Sequence, residues 1–163
     1  YTRLIAKKNK KTKKNKKRIS PIDYQKNITV SESGKNEKKD WYLITSDTKQ
    51  QFKLESTGRY QVLTRLVIDE FKNDNSSLEY YELVAYENNQ KLGNYIMEGN
   101  LSISNARIET DYSNLSGKFL SKYSSFLISV PETVRKYSYY TFKLPKGDER
   151  KILIKILEYD SKI

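Results

Sequence analysis

The chain has 163 residues without one histidine or cysteine, which excludes the usual zinc and copper sites, thiol nucleophiles, Ser–His–Asp triads, iron–sulfur clusters and disulfide scaffolds. Its formal charge of +11 sits almost wholly at one end: ten of the 31 Lys and Arg precede residue 19 with no acid among them, leaving 21 against all 20 acids. The body is therefore close to neutral, and an argument from overall basicity to nucleic-acid binding fails, since a binding footprint has to be a patch on the folded domain.

The leader is dominated by "KKNKKTKKNKKR" (7–18). No apolar residue stands between Ala6 and Ile19, so this stretch has nothing to bury, and like charges in a block repel and resist compaction. Residues 1–18 are expected to form a disordered basic tail, followed by one domain over 19–163. The tail's candidate anion-binding residues are Lys7, Lys8, Lys10, Lys11, Lys13, Lys14, Lys16, Lys17 and Arg18, with an anionic polymer or membrane surface as partner. No aromatic side chains are interleaved there to stack on bases, which counts against sequence-specific reading. The start at Tyr1 without Met reads as a processed product or a piece of something longer, and no signal peptide or membrane span is visible.

From residue 27 onward the apolar residues recur every second position. The expected strands are 27–32, 41–46, 50–56, 59–69, 78–87, 91–97, 101–109, 124–130, 138–144 and 150–159. In "RYQVLTRLVID", Tyr60, Val62, Thr64, Leu66 and Ile68 share one face, and Arg59, Gln61 and Arg65 the other. Phe126, Ile128 and Val130 alternate likewise, as do Tyr140, Phe142 and Leu144, and Ile152, Ile154 and Ile156; this is the pattern of half-buried strands. "STGR" (56–59), "ENNQK" (87–91) and "PKGDER" (145–150) read as hairpin turns. The stretch 110–123 reads as a loop with room for one helical turn. With no stripe at helical spacing, the fold class is all-β: a single antiparallel two-sheet sandwich, either jelly-roll or immunoglobulin-like.

Chemistry is scarce. There is no GxGxxG and no P-loop, so nothing cradles a nucleotide and no cofactor is expected. Asp69, Glu70, Glu79, Glu82 and Glu87 are the carboxylates formally open to two-acid glycosidase chemistry, but they are interleaved with cations like any solvent face. The run "DEFKNDNSS" (69–77) lacks the glycine and closing glutamate of an EF-hand loop, so no metal site is expected. Tyrosine is the unusual count, fourteen against one Trp and five Phe. The pairs "WY" (41–42), "YY" (80–81) and "YSYY" (137–140) place neighbouring rings on opposite faces, one inward and one outward. Tyr80, Tyr81, Tyr137, Tyr139 and Tyr140 are the candidate recognition surface, and Trp41 is the expected core anchor.

Three segments carry a resemblance. "STGRYQVLTRLVID" (56–69) resembles the G-x-Y-x-V-x-x-R strand of jelly-roll carbohydrate-binding modules and related secreted β-sandwich domains. "YYELVAYENNQKLG" (80–93) is similar to their next strand and turn, and "YYTFKLPKGDERKILIKILEY" (139–159) to their closing pair with its "LPxG" turn. The resemblance covers about a third of the chain, and its motifs are turn glycines (Gly58, Gly147) and inward hydrophobics. It implies a secreted or envelope, extracytoplasmic location. The family's late tryptophans have no counterpart here, so its binding residues do not carry over.

The expected function is a non-enzymatic recognition or assembly module with a protein or glycan partner in the envelope, its polybasic tail touching an anionic surface. The alternatives are a nucleic-acid-associated protein gripping phosphate through the tail, and a structural, oligomerising subunit of an extracellular assembly.

Overall fold

The computed structural model describes residues 18–22, 28–32, 38–55, 58–68, 78–101, 106–108, 115, 118–130 and 138–160. Among these residues there are twelve strands and no helix: β1 (Arg18–Ile19), β2 (Ile28–Glu32), β3 (Lys38–Ile44), β4 (Gln50–Leu54), β5 (Gly58–Ile68), β6 (Leu78–Glu87), β7 (Gln90–Asn100), β8 (Ala106–Ile108), β9 (Phe119–Leu120), β10 (Ser124–Val130), β11 (Ser138–Lys143) and β12 (Ile152–Asp160). They make an eight-stranded and a four-stranded antiparallel sheet, as the period-two pattern requires.

Eight of the strands form the sandwich. One layer runs β3-β12-β5-β10 and the other β4-β11-β6-β7. Taken in chain order, the first, eighth, third and sixth of these strands face the second, seventh, fourth and fifth, which is jelly-roll order. Almost every connection therefore crosses from one sheet to the other. The hairpin is confirmed at 87–91, where Asn88 (φ 48°) and Asn89 (φ 71°) take the left-handed conformation of a type I′ turn between β6 and β7. The expected hairpins at 56–59 and 145–150 are not hairpins. β4 and β5 belong to different sheets, as do β11 and β12, so these turns carry the chain across the sandwich.

The main core lies between the two layers. Tyr60, Val62 and Leu66 of β5 and Ile152, Ile154 and Ile156 of β12 meet Phe52, Tyr81, Leu83 and Phe142 from the four-stranded sheet. Phe52 sits edge-on to both Tyr42 and Phe142. The sides of the sandwich are closed differently. At one, Tyr95 of β7 stacks on Phe126 of β10, with centroids 4.3 Å apart. At the other, β1 pairs with β12 while the Ile22 amide donates to the Gln51 carbonyl at 2.7 Å, so residues 18–22 strap the two sheets together. Arg18, expected in the tail, is thus the first residue of a paired strand.

A second core lies on the opposite face of the larger sheet. Strand pairing runs from β12 through β3, β2, β8 and β9 and returns to the far end of β5, where Val67 pairs with Leu120; β12 and β5 pair directly. This circuit encloses Ile28, Val30, Trp41, Leu63, Val67, Ile108, Leu115, Leu120 and Leu153. It corrects three expectations. Part of the expected loop 110–123 forms β9, and Leu115 and Leu120 are fully buried. The supposed polar face of β5 is covered at its far end, so Arg65 is only 4% exposed; its Nε donates to the Ser121 carbonyl. Trp41 and Tyr42 are both buried, since β3 has a core on each side. Arg65 and Lys155 flank the indole of Trp41, the Lys155 ammonium 4.4 Å from the ring centroid.

Candidate functional site: a basic groove on the open sheet face

A sandwich has two outward faces, and the second core occupies much of one. Among the described residues, the other, the outer face of the four-stranded sheet, has no such cover. Register places Tyr80, Glu82, Val84 and Tyr86 of β6 on it, beside Ile96 and Asn94 of β7 and Thr141 and Lys143 of β11. Tyr80 and Ile96 are exposed accordingly, yet Val84 is only 6% exposed. Two turns at that end of the sheet account for it. Residues 45–49 join β3 to β4 and residues 144–147 leave β11, and both line, with Val84 and Tyr86, a groove of about 610 Å³.

Each turn is locally determined. Thr45 and Thr48 exchange backbone hydrogen bonds of 3.0 and 3.2 Å, and the Asp47 amide donates to Thr45 Oγ1, so "TSDT" closes on itself. In "PKGD" the Asp148 amide donates to the Pro145 carbonyl at 3.1 Å, and Gly147 (φ 88°) occupies the left-handed position that a type II turn needs. Asp148 Oδ1 then accepts from the Arg150 amide. The β6–β7 hairpin is pinned as well: the Asn88 amide donates to the Tyr139 carbonyl and Asn88 Oδ1 accepts from the Tyr139 amide. This fixes Lys91, just after the turn, relative to Lys143 on β11.

Charge is what distinguishes the groove. Lys49, Lys91, Lys143 and Lys146 all line it, and among the described residues Asp47 is the one acid in its lining. The four lysines are exposed, and among the described residues none forms an ion pair. Ion pairs do form elsewhere: Asp40 with Arg18, Glu55 with Lys53, Glu79 and Asp148 with Arg150. Lys143 Nζ lies 4.9 Å from the Tyr86 ring centroid, and Asn94 donates its amide hydrogen to Glu82.

The residues expected from sequence fall differently. Lys7, Lys8, Lys10, Lys11, Lys13, Lys14, Lys16, Lys17 and Tyr137 lie outside the described residues. Arg18 pairs with Leu157 in β1 and has its guanidinium 3.9 Å from Asp40. Of the tyrosines, Tyr80 is exposed and Tyr139 half-buried, whereas Tyr81 and Tyr140 point into the main core and are out of a ligand's reach. Burial pushes the Tyr81 hydroxyl up to about 12. Burial also raises Tyr140, and its hydrogen bond to Glu87 and that carboxylate's charge raise it further.

Among the described residues the candidate carboxylates each hold a different partner. Glu79 pairs with Arg150 at 3.7 Å, Glu82 accepts from Asn94, and Glu87 accepts from Tyr140 at 2.7 Å; Asp69 and Glu70 lie outside the described residues. No cluster of three metal-ligating side chains occurs among the described residues. Sequence reasoning missed the groove lysines because they come from three separate segments. Their local signal is a lysine in or beside a turn ("TSDTK", "NNQK", "LPKG"), and only the jelly-roll order makes those turns neighbours.

No family model matches the chain, and no curated protein matches it. Among solved structures it is similar to a stretch of a family GH115 4-O-methyl-alpha-glucuronidase with specificity for decorated arabinogalactans, at 12% identity and a TM-score of 0.43. The match covers 91% of this chain and 18% of that one, so the chain spans less than a fifth of the enzyme's length.

Proposed function

We propose that the chain is a non-catalytic recognition module of an envelope or secreted system, and that it holds a glycan in the groove on the outer face of the four-stranded sheet. The observation that carries this reading is the trough that two self-closed turns build over Val84 and Tyr86, lined by the hydroxyls of Thr45 and Thr48 and the amide of Asn94. Its size is within the range of ligand sites, and its polar lining suits a ligand that stays hydrogen-bonded along its length. Protein interfaces have apolar centres depleted in charge, and this groove has the opposite character. The non-catalytic part rests on the dispersal of the acids: two-carboxylate glycoside hydrolysis needs a facing pair, and among the described residues Asp47 is the one acid lining the groove. The polybasic segment 7–18 would then tether the module to an anionic surface.

The test is a glycan array probed with the intact chain, followed by Asn94→Ala and Thr48→Ala. Binding that both changes weaken about tenfold supports the reading. Hydrolysis of a polysaccharide that is removed by Asp47→Asn would overturn the non-catalytic assignment.

A further inference from the structure

Resting on that reading of the groove, we propose that its ligand is an acidic saccharide, one carrying carboxylate or sulfate groups. Four ammonium groups gathered around one trough repel one another, and among the described residues no acid pairs with any of them. A neutral sugar would leave that repulsion in place, whereas an anion removes it on binding. The aromatic contribution points the same way. Among the described residues Tyr86 is the one aromatic lining the groove, and Lys143 already lies over its ring at 4.9 Å. The ring thus positions a cation and leaves less of itself for stacking on a pyranose.

The kind of cation narrows the class. All four are lysines, and among the described residues no arginine lines the groove. An ammonium is a point charge with three rotatable donors, without the planar fork that selects one carboxylate orientation. Such a site tolerates sulfate and carboxylate alike and accommodates repeats along a chain. Single-stranded nucleic acid is disfavoured, because a sequence-tolerant groove of that kind needs several stacking rings. An acidic peptide would find few apolar anchors: among the described lining residues Val84 and Leu144 are 6% and 5% exposed, which leaves the half-buried Pro145.

The experiment is titration calorimetry of the full chain at about 150 mM salt. The probes are oligogalacturonate and chondroitin sulfate fragments, with neutral xylo- and galacto-oligosaccharides of equal length, a polyglutamate peptide and a DNA oligonucleotide. At least one acidic oligosaccharide is expected to bind about tenfold or more tightly than its neutral counterparts. Lys91→Gln combined with Lys143→Gln, and separately Lys146→Gln with Lys49→Gln, should each remove that preference without moving the melting temperature, since all four side chains are exposed. Equal binding of neutral sugars would overturn the acidic assignment and leave the glycan reading standing. Failure of every saccharide would overturn both. Acidic binding untouched by the lysine changes would place the ligand on residues 7–18, and groove-dependent binding of the peptide or DNA above any saccharide would assign the site to that class; either result refutes the proposal.

Discussion

Thr64 Oγ1 and Tyr81 OH lie 2.7 Å apart inside the sandwich, joining β5 of the larger sheet to β6 of the smaller by a fully buried hydrogen bond. A hydroxyl deprived of its partner in such a place keeps its full desolvation penalty. Tyr81→Phe should therefore lower unfolding free energy by about 1–3 kcal/mol. Adding Thr64→Val removes the orphaned group, so the double change should be less damaging than the two single losses summed. Urea unfolding of the four proteins provides the cycle. Strict additivity would show that the two hydroxyls are energetically unconnected.

The same tyrosine gives the fold an alkaline weakness. Its hydroxyl titrates at about 12 in the folded protein, because burial disfavours the phenolate, against about 10 when unfolded. The raised value means that the stabilisation is complete below pH 10 and is lost as pH rises toward 12. Tyr140, raised by burial and by Glu87, adds to the same trend. Thermal melts across that window should show a falling midpoint, shallower in Tyr81→Phe than in the parent.

Gly99 of β7 pairs with Glu79 of β6. A Cβ there would stand 2.9 Å from the Glu79 carbonyl oxygen and 3.3 Å from both Leu66 and Tyr81. The carbonyl belongs to a paired strand and has little freedom to withdraw. Gly99→Ala is expected to destabilise by about 1–3 kcal/mol, measured by denaturant midpoint. The control is Ser129→Ala on the exposed face of β10, with an effect within about 0.5 kcal/mol.

The basic leader and the groove should separate cleanly. Deleting residues 1–17 removes nine of the 31 cations and leaves the strap that begins at Arg18. Elution from heparin should shift to much lower salt, while the melting temperature should move by no more than about 2 °C. A large fall in melting temperature would show that the leader packs on the domain.

The legible part of this fold was whatever repeats every second residue. The expected 78–87 and 124–130 coincide with β6 and β10, and 59–69 is offset by one residue from β5. Topology was less legible, because a glycine-bearing turn looks the same whether it closes a hairpin or crosses between sheets; "STGR" and "PKGDER" both cross. The second core hid for a related reason. Arg65 and Lys155 stand among alternating hydrophobics and look solvent-facing, until Trp41 on a neighbouring strand is seen to receive both. Of the site, the outward Tyr80 could be read from "YY", but the groove depends on Lys49, Lys91 and Lys146, which no local pattern groups.

The two turns that wall the groove are rooted in adjacent strands: one leaves β3 after Ile44, and the other leads toward β12, whose Ile152 pairs with Ile44. Those same two strands, together with β5, form the wall between the cores, and three residues before Ile44 stands the molecule's lone tryptophan, 3% exposed. Anything that tugs on the turns therefore pulls on the indole's own strand. Intrinsic tryptophan fluorescence is therefore expected to respond when a ligand fills the groove, although the indole is not among the residues that line it.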